Sequence, residues 1–184
     1  MTKAKKLTLI STGITLGVAV LFLAFFIFYY FVSYPLKYKN YILVYSAEYN
    51  IKPPIVASVI NAESSFNAAA CSKSGAMGLM QILPGTGEYI AARLSVENFD
   101  DSMLLNAETN IEFGCFYLRY LMDKFTDVKT AFAAYNAGEG VVKQWLNNTD
   151  LSPDGVSLNN IPFEETKNFV DRVTRGIEVY KNRF

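Results

Sequence analysis

Ile55-Val-Ala-Ser-Val-Ile-Asn-Ala-Glu-Ser64, followed after a short polar stretch by Gly75-Ala-Met-Gly-Leu-Met-Gln-Ile-Leu83, decides how this chain is read. Ile55, Val56, Val59 and Ile60 recur at helical spacing and make one apolar stripe. Glu63 stands seven residues after Val56, four after Val59 and three after Ile60, so it continues that stripe. A sequence built only for folding would place another Ile or Leu there. A carboxyl held against apolar neighbours resists ionisation; its pKa rises and it can donate a proton near neutral pH. The competing expectation is an acid at a helix end, lying against the core with its head group in water. The second segment is apolar, with two glycines and a single amide, Gln81.

Upstream, Leu7 to Val32 is uncharged and almost wholly apolar. As a helix its 26 residues would span about 39 Å, enough to cross a bilayer with some tilt. The run is too long for the apolar region of a cleaved signal peptide. Its far end, Phe28-Tyr-Tyr-Phe-Val-Ser-Tyr34, is an aromatic belt without a small-residue cleavage pattern. Residues 1–34 are therefore expected to be a cytoplasmic N-terminus and retained transmembrane anchor. Lys3, Lys5 and Lys6 precede the run, which places the N-terminus inside and the rest of the chain outside. Gly13 and Gly17 form a GxxxG pair, more simply two small residues in an apolar helix.

Pro35 ends the run, and residues 35–184 are expected to form one all-helical domain close to the membrane. Tyr38, Tyr41, Ile42, Tyr45 and Tyr49 make one helical face, and Pro53-Pro54 start the helix that carries Glu63. Asn67 to Ser74 is a loop, and Pro84 opens a helix through Leu94. Asn106 caps a helix with Ile111, Cys115, Leu118, Met122 and Phe125 inward, in which Gly114 implies close backbone packing. Asp127 starts a helix with the stripe Val128, Ala131, Phe132 and Tyr135, stopped by Asn136-Ala-Gly138. Val141, Val142, Trp145 and Leu146 belong to the next, Asn147 to Asn160 is a surface loop, and a last helix runs from about Phe163. No strand is expected.

Composition excludes several chemistries. The chain has 17 basic and 17 acidic residues; beyond the apolar run stand 14 basic and 17 acidic ones, a net −3, which is no nucleic-acid footprint. There is no histidine, which removes Ser-His-Asp and Cys-His catalysis and leaves no plausible zinc site. Cys71 and Cys115 could bridge outside the cytoplasm, but Cys115 lies on an apolar helical stripe, so two unpaired thiols are expected. Twelve tyrosines can stack on sugars as well as fill a core.

Five motifs in order carry a resemblance: Glu63-Ser64, Gly75-Ala-Met-Gly-Leu-Met-Gln81, Asn110-Ile111 with Gly114, Ala134-Tyr-Asn-Ala-Gly138, and Glu165-Thr166. Over about Tyr38 to Arg183 the chain resembles the soluble-lytic-transglycosylase (SLT) family, which cleaves peptidoglycan. The resemblance implies a lysozyme-like fold of the goose type. It also implies a single general acid/base, Glu63, and non-hydrolytic cleavage of the MurNAc-β-1,4-GlcNAc bond to a 1,6-anhydro-MurNAc end. No metal or cofactor is implied, and the partners are the glycan strand and the membrane. By position, Ser72 matches a serine near the acetamido groups, Gln81 a glutamine that hydrogen-bonds sugar, and Met80 a groove-lining residue. Tyr135 matches a tyrosine whose hydroxyl approaches the acid, Asn136 stands beside it in the same substrate-binding motif, and Glu165 contacts the muramoyl side. Ser64 is expected to orient the acid or cap its helix rather than touch sugar.

The chain departs from the family pattern at Leu83, Ala68, Lys167 and Phe169, none of them the proton donor. Three other outcomes compete: a hydrolytic muramidase of the same fold, a glycan-binding wall tether without catalysis, and a structural membrane protein whose aromatics merely pack.

Overall fold

The structure is a computed structural model that describes residues 2–184, with side chains for Thr2, Lys5 and every residue from Thr12 onward. It divides into two compact units, Met1–Pro35 and Leu36–Phe184.

The first unit is helix α1, Lys3–Ser33. Within it Thr12–Ser33 is long and apolar enough to cross a membrane, and none of it is buried inside the protein. The side chains of Lys3 and Lys6, on which the expected orientation partly rests, lie outside the described residues.

The second unit is a bundle of short helices: α2 Lys39–Glu48, α3 Pro53–Ser64, α4 Pro84–Arg93, α5 Ala107–Lys124, α6 Val128–Ala137, α7 Glu139–Leu146 and α8 Glu164–Tyr180. Local chemistry sets the ends. Pro53 occupies the first turn of α3, and Pro84 that of α4, where the missing N–H costs nothing. Asn106 Oδ1 accepts from the N–H groups of Glu108 and Thr109 to start α5, and Asp127 accepts from Thr130 N–H to start α6. A 3-10 turn, Asp101–Leu105, precedes α5 and was not expected; it buries Leu104.

The core is where α3 packs along α8 and α6 lies between α5 and α8. The α3–α8 approach is close because Gly176 faces Ser58; a Cβ at position 176 would sit 2.9 Å from Ser58 Oγ. Val56, Val59, Ile60, Ile111, Leu118, Phe132, Phe169, Val173 and Tyr180 are wholly or almost wholly buried. Each such large apolar side chain contributes roughly 1.5–3 kcal/mol.

The helical stripes are narrower than the periodicity predicts. On α2 only Ile42, Tyr45 and Ser46 are buried, because α2 packs chiefly against α3 and α5. Val128 is 40% exposed because it lies in the first turn of α6, outside the core. Among the described residues there is no strand; Met77 makes single antiparallel bridges to Cys71 and Ile82. Cys71 is exposed and Cys115 buried, and both are free thiols.

Candidate active site

Helix α3 delivers Glu63 to its C-terminal turn, and the chain then reverses through Ser65 and Phe66, both in the left-handed region at φ 51° and 63°. The reversal brings the Gly-Ala-Met-Gly-Leu-Met-Gln segment back beneath the end of α3. Ser64 Oγ donates to the Leu79 carbonyl at 2.8 Å, with the Ile60 carbonyl at 3.2 Å as a second acceptor. This hydroxyl clips the helix end to the returning segment.

The segment has no regular structure to satisfy its backbone, so side chains do so. Asn110, fully buried on α5, accepts from Met80 N–H at 2.7 Å and donates to the carbonyls of Met77 (3.0 Å) and Leu104 (2.7 Å). Tyr135 Oη donates to the Met80 carbonyl at 2.8 Å. Gln81, itself at φ 49°, donates through Nε2 to the carbonyls of Ala70 (3.2 Å) and Gly78 (2.9 Å). Two glycines admit the neighbours. A Cβ at Gly78 would stand 2.1 Å from Leu104 O, and one at Gly114 would stand 2.2 Å from Met80 Sδ.

On this floor lies a cavity of about 170 Å³ lined by Glu63, Ser72, Ser74, Ala76, Gln81, Leu83, Tyr135, Asn136 and Glu165. Six residues singled out in the sequence, from five separate stretches, thus meet in one place: Glu63, Ser72, Gln81, Tyr135, Asn136 and Glu165. A second cavity of about 210 Å³ shares Gln81, Leu83, Tyr135 and Asn136 with the first and is lined also by Ile82, Thr86, Tyr117 and Gly138.

Burial pushes the Glu63 carboxyl up to about 8; the Arg172 guanidinium works against that rise and the Glu165 charge adds to it. Near neutral pH Glu63 is therefore mostly protonated. Burial and the neighbouring Glu63 charge hold the Tyr135 phenol well above its ordinary value, so it is a hydrogen-bond donor and not a base. Asn136 is fixed by Thr166, whose Oγ1 donates to Asn136 Oδ1 at 2.8 Å. Ser72 Oγ lies 2.9 Å from Ser74 Oγ and accepts from Ala76 N–H at 2.9 Å, which shapes the cavity's loop wall.

One expected contact is corrected. Met80 does not line the groove: its side chain is wholly buried and fills the space left by Gly114. Its backbone serves the site, through the bonds to Asn110 and Tyr135. The exposed apolar wall residue is instead Leu83, 45% accessible.

Two residues carry roles that sequence reasoning missed. Asn110 had a signal, an amide lying three and four residues before Phe113 and Gly114 on a buried helical face. Arg172 also had one: it follows Glu165 by seven residues, which puts both on one side of α8.

Residues 40–154 match the family model described as the transglycosylase SLT domain. The soluble lytic murein transglycosylase of Salmonella typhimurium is 36% identical over 152 residues, covering 81% of this chain and 24% of that protein. The membrane-bound lytic murein transglycosylase C of Actinobacillus pleuropneumoniae is 30% identical over 154 residues, covering 72% of this chain and 42% of that one. Among solved structures, the lytic transglycosylase Slt of Pseudomonas aeruginosa, an inactive glutamate-to-glutamine mutant, matches with a TM-score of 0.71 at 27% identity. That match covers 82% of this chain and 25% of the Pseudomonas one. The chain spans about a quarter of the soluble relatives' length and about two fifths of the membrane-bound relative's. With its lysozyme-like helical unit and the family match over most of it, this chain belongs to the transglycosylase SLT domain family.

Proposed function

We propose that this protein is a peptidoglycan lytic transglycosylase that cleaves the MurNAc-β-1,4-GlcNAc bond without water, with Glu63 as its single general acid and base. The observation that carries it is a mostly protonated carboxyl lining a cavity with two serines, two amides and a tyrosine donor. Glu63 donates its proton to the glycosidic oxygen as the C1–O bond breaks, and the GlcNAc side leaves as an alcohol. The substrate's 2-acetamido oxygen shares the charge developing at C1. The Glu63 carboxylate then takes the proton of the muramoyl 6-hydroxyl as O6 closes on C1, which leaves a 1,6-anhydro ring and restores the acid. Gln81, Asn136 and Ser72 hold the sugars, and Glu165 meets the muramoyl side. The inactive glutamate-to-glutamine form of the Pseudomonas relative supports this reading.

A hydrolytic muramidase is the second reading, and Glu165 is the observation that favours it. It places a second carboxylate in the Glu63 cavity, and two-carboxylate glycosidases use one to activate water. Mass spectrometry of digested peptidoglycan separates the two. Anhydro-muramoyl ends are expected; reducing muramoyl ends overturn the proposal. Glu63→Gln is expected to fold and release no fragments, while Glu165→Gln should retain measurable turnover.

Helix α1 is long enough to serve as an anchor, with residues 1–34 inside and across the membrane and 35–184 facing the wall. Protease added to spheroplasts should then digest the 35–184 region and spare the N-terminus.

A further inference from the structure

Helix α2 is apolar on two sides. Its inner face, Ile42, Tyr45 and Ser46, packs into the bundle. The opposite face carries Asn40, Leu43, Val44 and Ala47 at helical spacing, and all four are exposed. Leu43 and Val44 are 41% and 56% accessible. Among the described residues of the second unit, no other two exposed large apolar side chains fall within one helical turn of each other. Single apolar side chains scattered on a surface are ordinary, whereas a cluster on one outward helical face marks a contact surface.

Cations bracket this face. Lys37 and Lys39 stand exposed at its start, and Lys52, also exposed, follows its end. Lys39 Nζ donates to the Arg183 carbonyl at 2.7 Å and lies 5.2 Å from the Phe184 ring centre, which brings the segment after α8 to the start of α2. The one acid of α2 stands elsewhere: burial and the Glu48 charge hold the Glu112 carboxyl of α5 above its ordinary value, which puts Glu48 on the α5 side. Apolar side chains flanked by long cations suit a helix lying in a headgroup layer. The apolar groups enter the acyl boundary while the ammonium groups meet lipid phosphate. The connection fits the same surface. Residues 34–38 separate α1 from α2 and span at most roughly 20 Å, so a chain anchored through α1 keeps α2 near the headgroups.

We infer that the Asn40–Leu43–Val44–Ala47 face of α2 docks onto an anionic lipid surface, with Lys37, Lys39 and Lys52 on the headgroup phosphates. This rests on the proposed anchoring by α1. Docking leaves the groove free. Glu165 lines the Glu63 cavity from the first turn of α8, whereas Arg183 meets Lys39 beyond its last turn. The 17 residues of α8 make a helix about 25 Å long. Lipid contact near one end of α8 and the Glu63 cavity at the other hold the groove at a set height above the bilayer.

The full chain, reconstituted in vesicles of phosphatidylcholine and phosphatidylglycerol, tests this. Val44→Cys is spin-labelled in a Cys71→Ser background, which removes the exposed native thiol and keeps the buried Cys115. Collision of the label with oxygen, against a water-soluble nickel complex, reads its depth. The label at position 44 is expected about 5–10 Å inside the headgroup boundary. A label on Val156→Cys, an exposed residue of the loop before α8, should lie in water. The Lys37→Glu, Lys52→Glu double variant, which spares the Lys39 bond to Arg183, should return the position-44 label to water. Ala47→Cys serves as a second labelled position if Val44→Cys folds poorly. A position-44 label that nickel reaches as readily as the one at 156 overturns the inference. So does spin–spin broadening, which would put a second copy on this face, or an unchanged depth in the charge variant. Alkaline extraction separates the two readings: a chain stripped from the vesicles defeats anchor and docking together, while a retained chain with its position-44 label in water defeats the docking alone.

Discussion

Tyr135 Oη and the Met80 carbonyl, 2.8 Å apart, tie helix α6 to the irregular floor beneath Glu63. The two residues are 55 positions apart in sequence, and their bond joins the wall of the cavity to its base. A family motif thus acts partly through a backbone atom. Tyr135→Phe leaves that carbonyl without its donor and should lower stability by about 1–2 kcal/mol. The floor then loses one tether, and fragment release should fall at least roughly tenfold. Thermal unfolding and a turnover assay on the same preparation check both.

The raised Glu63 carboxyl makes folding pH-dependent with a definite sign. Its ordinary value is 4.5 and its folded value is about 8. The favourable contribution is full below about 4.5 and is lost as pH rises through about 8, because the folded state must then hold an ion in an apolar setting. Glu63→Gln stays neutral at every pH. It should match the parent near pH 4 and exceed it at pH 9 by roughly 1–3 kcal/mol, read by denaturant titration at both. A parent as stable as the variant at pH 9 would show Glu63 to be solvated.

With Glu63 as proton donor, turnover should fall as pH climbs through about 8. The Arg172 guanidinium opposes the rise of the Glu63 pKa, so Arg172→Met should move that alkaline limb to higher pH. A pH–rate profile of the two proteins measures the displacement; a shift toward lower pH would contradict the assignment.

Asn110 satisfies one N–H and two carbonyls from inside the core. Asn110→Ala strands all three and opens a cavity, which should cost about 3–5 kcal/mol. Loss of less than about 1 kcal/mol in chemical denaturation would mean the floor repairs itself with water.

Gly78 and Gly114 predict different responses to one added methyl. At Gly78, φ +79°, the obstacle is the Leu104 backbone oxygen, so Gly78→Ala should cost more than about 3 kcal/mol with no side-chain remedy. At Gly114 the obstacle is the Met80 side chain, so Gly114→Ala should cost roughly 1–3 kcal/mol. Met80→Ala should offset at least about 1 kcal/mol of that in a double-mutant cycle.

Sequence alone determined the helices, because periodicity, prolines and capping residues are local. Pro53, Pro84, Asn106 and Asp127 each stand where a helix of the structure begins. It also singled out Glu63, because an acid on an apolar stripe is a conflict visible without coordinates. Only the tertiary structure decided what faces that acid. Gln81, Tyr135 and Glu165 reach it from segments whose separation along the chain carries no distance. Met80 illustrates the limit: its place in a motif suggested a groove residue, whereas the volume left by Gly114, on another helix, drew its side chain into the core. Packing is a property of pairs of elements, and no single stretch of sequence contains both members of the pair.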